Sequence, residues 1–124
     1  MLSNERLVAF ISTRDVERAK AFYGSTLGLP LIHSDPMALV YGANGTKIRI
    51  QIVKEVTPHP FTALGWDVQN IEATIRALMD RGVKFERFPG MVQDDLGIWK
   101  APSGTLVVWF KDPEGHLLSL SHHD

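Results

Sequence analysis

Asp15-Val16-Glu17-Arg18-Ala19-Lys20-Ala21-Phe22-Tyr23, closed by Leu27-Gly28-Leu29, is the stretch on which the fold turns. The Asp15 carboxylate is placed to accept from the exposed amides at the start of a helix. Val16, Ala19, Phe22, Tyr23 and Leu27 then recur at three- and four-residue spacings, which puts them on one buried face. Gly28 supplies the left-handed residue that stops such a helix. Upstream, residues 7–12 are an apolar run of strand length. Downstream, 31–33, 38–42 and 46–53 read as strands, the last two joined by the hairpin dipeptide Asn44-Gly45. The order is β-α-β-β-β.

The same order returns after Pro58 and Pro60. A strand at 62–68 leads to Asn70 as a cap, then to a helix with Ile71, Ile75, Leu78 and Met79 inward and Gly82 as its stop. Strands at 83–87, 105–110 and 116–121 complete the copy. The two caps are 55 positions apart (70 − 15), and overlaying them places Val8 on Ala63 and Tyr23 on Leu78. This is an internal repeat. The chain therefore reads as one domain of two fused modules, 1–57 and 58–124. From cap to last strand the second copy is longer by 13 residues (119 − 70 against 51 − 15), and the surplus falls within 88–102. That segment contains Gly90, Asp94-Asp95, Gly97 and Trp99 and reads as a loop with one short strand at 98–101. It is either a functional loop on a rigid scaffold or a variable surface excursion.

Composition bounds the rest. At 124 residues, 44% apolar and 22% charged, the chain has the make-up of one globular domain with its own core. Thirteen Lys and Arg against fourteen Asp and Glu leave a net charge of −1, which gives no electrostatic reason to bind nucleic acid or an anionic membrane. With no cysteine, a disulfide framework, a thiolate nucleophile and Cys-type zinc sites are all excluded. No apolar stretch near the start has the length of a signal peptide or a spanning helix, so a cytoplasmic protein is expected.

The Asp15–Tyr23 motif with Leu27-Gly28-Leu29 resembles the first-helix signature of the vicinal-oxygen-chelate superfamily, the glyoxalase, bleomycin-resistance and dioxygenase group. Asp112-Pro113-Glu114-Gly115-His116, running into Leu117-Leu118-Ser119-Leu120, resembles the turn before that group's final strand. The resemblance implies an α+β fold: two βαβββ modules whose mixed sheets curl around an open cavity, with helices on the convex faces. It also implies a ligand in the cavity and a homodimer. Metal enzymes of the group carry ligands on the first and fourth strands of each module, and those positions fall on Val8, Gln51, Ala63 and Ser119 here. Two of these side chains have no donor and two are weak neutral ligands, so neither a metal nor another cofactor is expected.

Alternation decides which side chains face that cavity. Ile48, Ile50 and Ile52 form one apolar face, which turns Arg49 and Gln51 to the other. Leu64, Trp66 and Val68 take the helix face, which turns Asp67 away from it. The expected ligand-binding residues are Phe10, Ser12, Arg49, Gln51, Asp67 and Ser119, with Trp99 and Trp109 as aromatic walls. Arg49 is the most informative, because a guanidinium in a concave site can fork a carboxylate or phosphate. The bland alternatives are an ion pair between Arg49 and Asp67 or another acid, an Arg49 at a solvated rim, and tryptophans that are ordinary core. Among the histidines, His116 reads as a surface turn residue, His122-His123-Asp124 as a mobile end, and His33 as the one candidate general base. No phosphate loop, nucleophile elbow or zinc-protease helix is present.

Three functions remain in view. The first is a metal-free binding protein of the bleomycin-resistance type that holds an anionic or aromatic small molecule. The second is a lyase, isomerase or dioxygenase-like enzyme using a displaced metal site or acid–base chemistry through Arg49, Asp67 or His33. The third is an interaction module whose cavity is filled by packed side chains.

Overall fold

The structure, a computed structural model, describes residues 1–123. It is α+β and divides into two compact units, Met1–Thr57 and Pro58–Asp124, each with its own four-stranded mixed sheet. Asp124, the last residue of the His122-His123-Asp124 end, lies outside the described residues.

In the first unit, β1 (Val8–Thr13) leads into α1 (Val16–Ala19), which continues as a π-helix over Lys20–Thr26. The Asp15 carboxylate accepts the Arg18 N–H at 3.1 Å, the expected cap. The wide helical turn shows in the Leu27 N–H, which donates five residues back to the Phe22 carbonyl at 2.8 Å. Gly28, at φ 73°, then ends the helix as its sequence position requires. β2 (Leu31–Ser34), β3 (Ala38–Ala43) and β4 (Thr46–Ile52) follow, and the sheet order is β1-β4-β3-β2, with β1 parallel to β4 and the rest antiparallel. The core lies between helix and sheet, where Tyr23 is 1% exposed and its ring meets Tyr41 at 6.3 Å. Ile11, Leu39, Ile48 and Ile50 complete it.

The second unit repeats the plan with β5 (Thr62–Asp67), α2 (Ile71–Asp80), β6 (Trp99–Lys100), β7 (Leu106–Lys111) and β8 (Leu117–His122) in the order β5-β8-β7-β6. Asn70 caps α2 by accepting the Ala73 N–H at 3.0 Å. At the other end the Val83 and Gly82 N–H groups donate to the Leu78 and Met79 carbonyls, the paired bonds of a glycine-stopped helix. Ile71, Ile75 and Leu78 pack toward Val108, Phe110, Leu118 and Leu120, all buried.

Four expectations are corrected here: Met79, expected inward on α2, is 50% exposed, and His122, expected in a mobile end, closes β8. Residues 83–87 do not form a strand: only Phe85 bridges β7, opposite Phe110, and the edge position passes to β6. The surplus segment thus splits the sheet's edge, since the chain leaves β7 after Glu86, whose N–H donates to the Trp109 carbonyl at 2.8 Å, and returns to it at Trp99. His116 is not a surface residue, because it is 8% exposed and its N–H donates to the Asp112 carboxylate. His122, within β8, makes a 2.7 Å hydrogen bond with the Val68 carbonyl.

Candidate functional site

Strand register sorts every candidate onto a face. In the first unit Phe10 stands opposite Arg49, Arg49 opposite Val40, and Val40 opposite His33, a single row across all four strands. Ser12, Gln51 and Ala38 form the next row, and Val8, Lys47 and Gly42 the one on the other side. These rows occupy the face opposite the helix, because on β1 and β4 the alternate residues Ile11, Ile48 and Ile50 are the buried ones, while β3 is buried on both faces, with Ala38 and Val40 on this one. Phe10 is 58% exposed there, while Arg49 is half-buried.

The Arg49 guanidinium makes no hydrogen bond or ion pair with any described residue. Lys47 shares the face two residues away and belongs with Arg49; the same alternation that singled out Arg49 and Gln51 also points to it. His33, at the far end of the row, makes a 2.8 Å hydrogen bond through Nε2 with Asp35. The Met37 backbone N–H, then the His33 ring, hold the Asp35 carboxyl below its usual range.

In the second unit Ser119 is opposite both Gly65 and Trp109, while Asp67, Ser121, Val107 and Trp99 form the neighbouring row. Asp67, Ser119, Trp99 and Trp109 therefore share one helix-free face, and the orientation of both tryptophans is settled. Their rings lie 6.1 Å apart, and the Trp109 indole N–H donates to the Thr62 hydroxyl at 3.1 Å. Trp66 is half-buried on the helix side.

The same face shows residues that the sequence did not single out. Phe88 meets Trp109 edge-on at 5.4 Å. Beside it opens a cleft of about 420 Å³ lined by Phe88, Lys111, Leu117, Gly115 and the Pro58-His59-Pro60 segment. A second cleft, of about 250 Å³, lies near Met79, Phe85 and Leu96. Ligand pockets usually span about 300–1,000 Å³, so the first is of ligand size and the second falls short.

The inherited metal positions do not fit a metal. Asp67 pairs with Ser121 as Ser12 pairs with Gln51, so the counterpart of Gln51 is Ser121, and Ser119 matches Arg49 instead. Ala63 falls at a bulge, without a partner in the β5–β8 register. With Ser121 in place of Ser119 the set still offers no imidazole or carboxylate. Among the described residues no three His, Cys, Asp or Glu side chains are grouped to hold an ion.

Two open mixed sheets, each with a helix on one face and candidate polar and aromatic groups on the other, define a duplicated βαβββ scaffold. The chain belongs to the Glyoxalase/Bleomycin resistance protein/Dioxygenase superfamily, whose family model matches residues 6–120. Among solved structures it is similar to a glyoxalase family protein from Bacillus anthracis, at 16% identity and TM-score 0.76, covering 98% of this chain and 96% of that one. A glyoxalase family protein from Enterococcus faecalis matches at 21% identity and TM-score 0.71, covering 98% and 99%. A lactoylglutathione lyase from Agrobacterium tumefaciens matches at 13% identity and TM-score 0.74, covering 96% and 93%. Identities this low speak for the fold alone. No curated protein matches the chain.

Proposed function

We propose that the chain is a metal-independent small-molecule binding protein of the bleomycin-resistance type. Its two units act as one domain, a cytoplasmic homodimer that holds an anionic or aromatic ligand on the helix-free sheet faces and binds neither nucleic acid nor membrane. Among the described residues no helix is long and apolar enough to cross a membrane. The observation that carries the reading is Arg49: a half-buried residue whose guanidinium has no partner among the described residues, flanked by an exposed phenylalanine. A structural ion pair would have used its donors. Left free, they form the planar fork that matches a carboxylate or phosphate.

A second reading, metal-free acid–base catalysis, draws support from the His33–Asp35 hydrogen bond at the end of the Arg49 row. A carboxylate that orients an imidazole is the usual arrangement for a general base. Recovery of a bound ligand unchanged after long incubation favours binding, and a converted ligand favours the enzyme.

Metal independence is tested by elemental analysis of untagged protein purified without chelator. Well under one equivalent of zinc, nickel, manganese or iron is expected, with thermal unfolding unchanged by a strong chelator. A stoichiometric metal, or a melting temperature lowered by chelation, overturns the reading.

A further inference from the structure

We propose that the second unit's cleft is a separate site for a one- or two-ring aromatic monocarboxylate, with the ring between Phe88 and the Pro58-His59-Pro60 segment and the carboxylate on Lys111. The inference goes beyond the Arg49 reading and stands on different residues.

Three features that the sheet itself does not require meet at this cleft. The first is the surplus segment, which brings Phe88. Gln93 holds the base of that loop: its side-chain oxygen accepts the Phe88 N–H at 2.9 Å, and its amide donates to the Glu86 and Gly97 carbonyls at 3.0 and 2.7 Å. Phe88 is thereby set as a wall, braced edge-on by Trp109. The second is the Asp112–Gly115 turn. The Asp112 carboxylate accepts the Glu114 and His116 N–H groups, both at 2.9 Å, and Gly115 takes φ 90°, which a side chain rarely adopts. The third is the linker, whose Pro58 packs so closely on this turn that a Cβ on Gly115 would lie 3.3 Å from its ring. Proline fixes φ, so the segment is a stiff rim. His59, between the prolines, stacks on Phe61 at 5.1 Å and 6°.

The chemistry of the lining names the ligand. Phe88, Leu117 and the prolines offer flat and apolar walls, which suit a ring. Lys111 is the cation in the lining, and its side chain is 53% exposed. Its pairing with Glu86 at 3.6 Å is longer than a hydrogen bond and solvent-screened, so the ammonium keeps donors for a ligand. Glu86 also sets a limit: its carboxylate repels a second negative charge, which favours a monocarboxylate over a phosphate. At about 420 Å³ the cleft admits one or two rings and excludes a glycopeptide.

Calorimetric titration of the full chain with 2-naphthoate, 2-naphthamide and cyclohexanecarboxylate tests this. The parent should bind 2-naphthoate roughly tenfold or more tightly than either of the others, the size of effect one charged hydrogen bond or one aromatic contact gives. Lys111→Met should bring acid and amide to equal affinity. Phe88→Ala and Phe88→Leu should both weaken the two naphthyl probes, the second variant retaining the apolar bulk that keeps the loop folded. An acid preference that survives Lys111→Met overturns the cleft proposal while favouring the Arg49 row. No binding of any probe to the parent overturns the cleft proposal alone, since the Arg49 row has its own test.

Discussion

The Ser119 hydroxyl stands over Gly65 in the space a side chain there would fill: a Cβ on Gly65 would lie 2.6 Å from Ser119 Oγ. No real pair of such atoms approaches so closely. Gly65→Ala should therefore force Ser119 out of its rotamer and cost about 1 kcal/mol, the scale of an off-rotamer side chain. With Ser119→Ala already in place, the same change should be neutral or stabilising, because alanine loses less entropy than glycine in a strand. Urea unfolding of the four proteins of the cycle measures the coupling. Equal costs in both backgrounds would mean that Ser119 does not occupy that space.

Gln93 fastens the surplus loop at both ends through one half-buried amide. Gln93→Ala leaves three backbone groups to find other partners and should destabilise the protein by about 1–3 kcal/mol. Phe88 should also lose its fixed contact with Trp109, visible as a shift in tryptophan emission. Unchanged stability and emission would show that the loop holds itself without this residue.

How much of this was legible beforehand divides along local and non-local lines. Asp15 and Asn70 revealed the repeat because a cap is written within four residues of its helix, and both make the expected bond. Asn44-Gly45 revealed the hairpin for the same reason, with both residues at positive φ. Alternation sorted Arg49, Gln51 and Asp67 onto their faces. The π-helical turn at Lys20–Thr26 was hidden, since the three- and four-residue spacing of its apolar face reads as an ordinary helix. The Ser119 and Ser121 registers were hidden by a bulge at Ala63, which a period-two reading passes over. The edge strand was misplaced because Phe85 and Trp99 compete for one edge of β7, and only the fold of the loop between them decides the outcome. Phe88 joined the site through that loop, so no local pattern marked it.

The proposed dimer would use a sheet edge. β1 and β5 lie at sheet edges, and on β1 Val8 is 40% and Phe10 58% exposed, with Leu7 at 72% just before it. An uncovered apolar edge invites pairing. Sedimentation equilibrium should report a dimer, and Phe10→Asp should shift it toward monomer while leaving the circular dichroism unchanged. A parent protein that is monomeric at working concentration contradicts the assembly.

The central claim is that Arg49 receives the anionic group of a ligand, and a thermal-shift screen tests it most directly. Aromatic acids, thiol conjugates and glycopeptides are each compared with a neutral amide counterpart, in chelator, on the parent and on Arg49→Ala. A ligand present at one hundred times its dissociation constant stabilises the native state by about 2.7 kcal/mol, well within what melting resolves. Removing one charged hydrogen-bond partner costs about 1.5–3 kcal/mol, or roughly tenfold to a hundredfold in affinity. The account predicts at least one acid that raises the parent's melting temperature, an amide counterpart that does not, and loss of that shift in Arg49→Ala with the variant's own stability near the parent's. An acid that stabilises Arg49→Ala as strongly as the parent, or no acid that stabilises the parent at all, contradicts it.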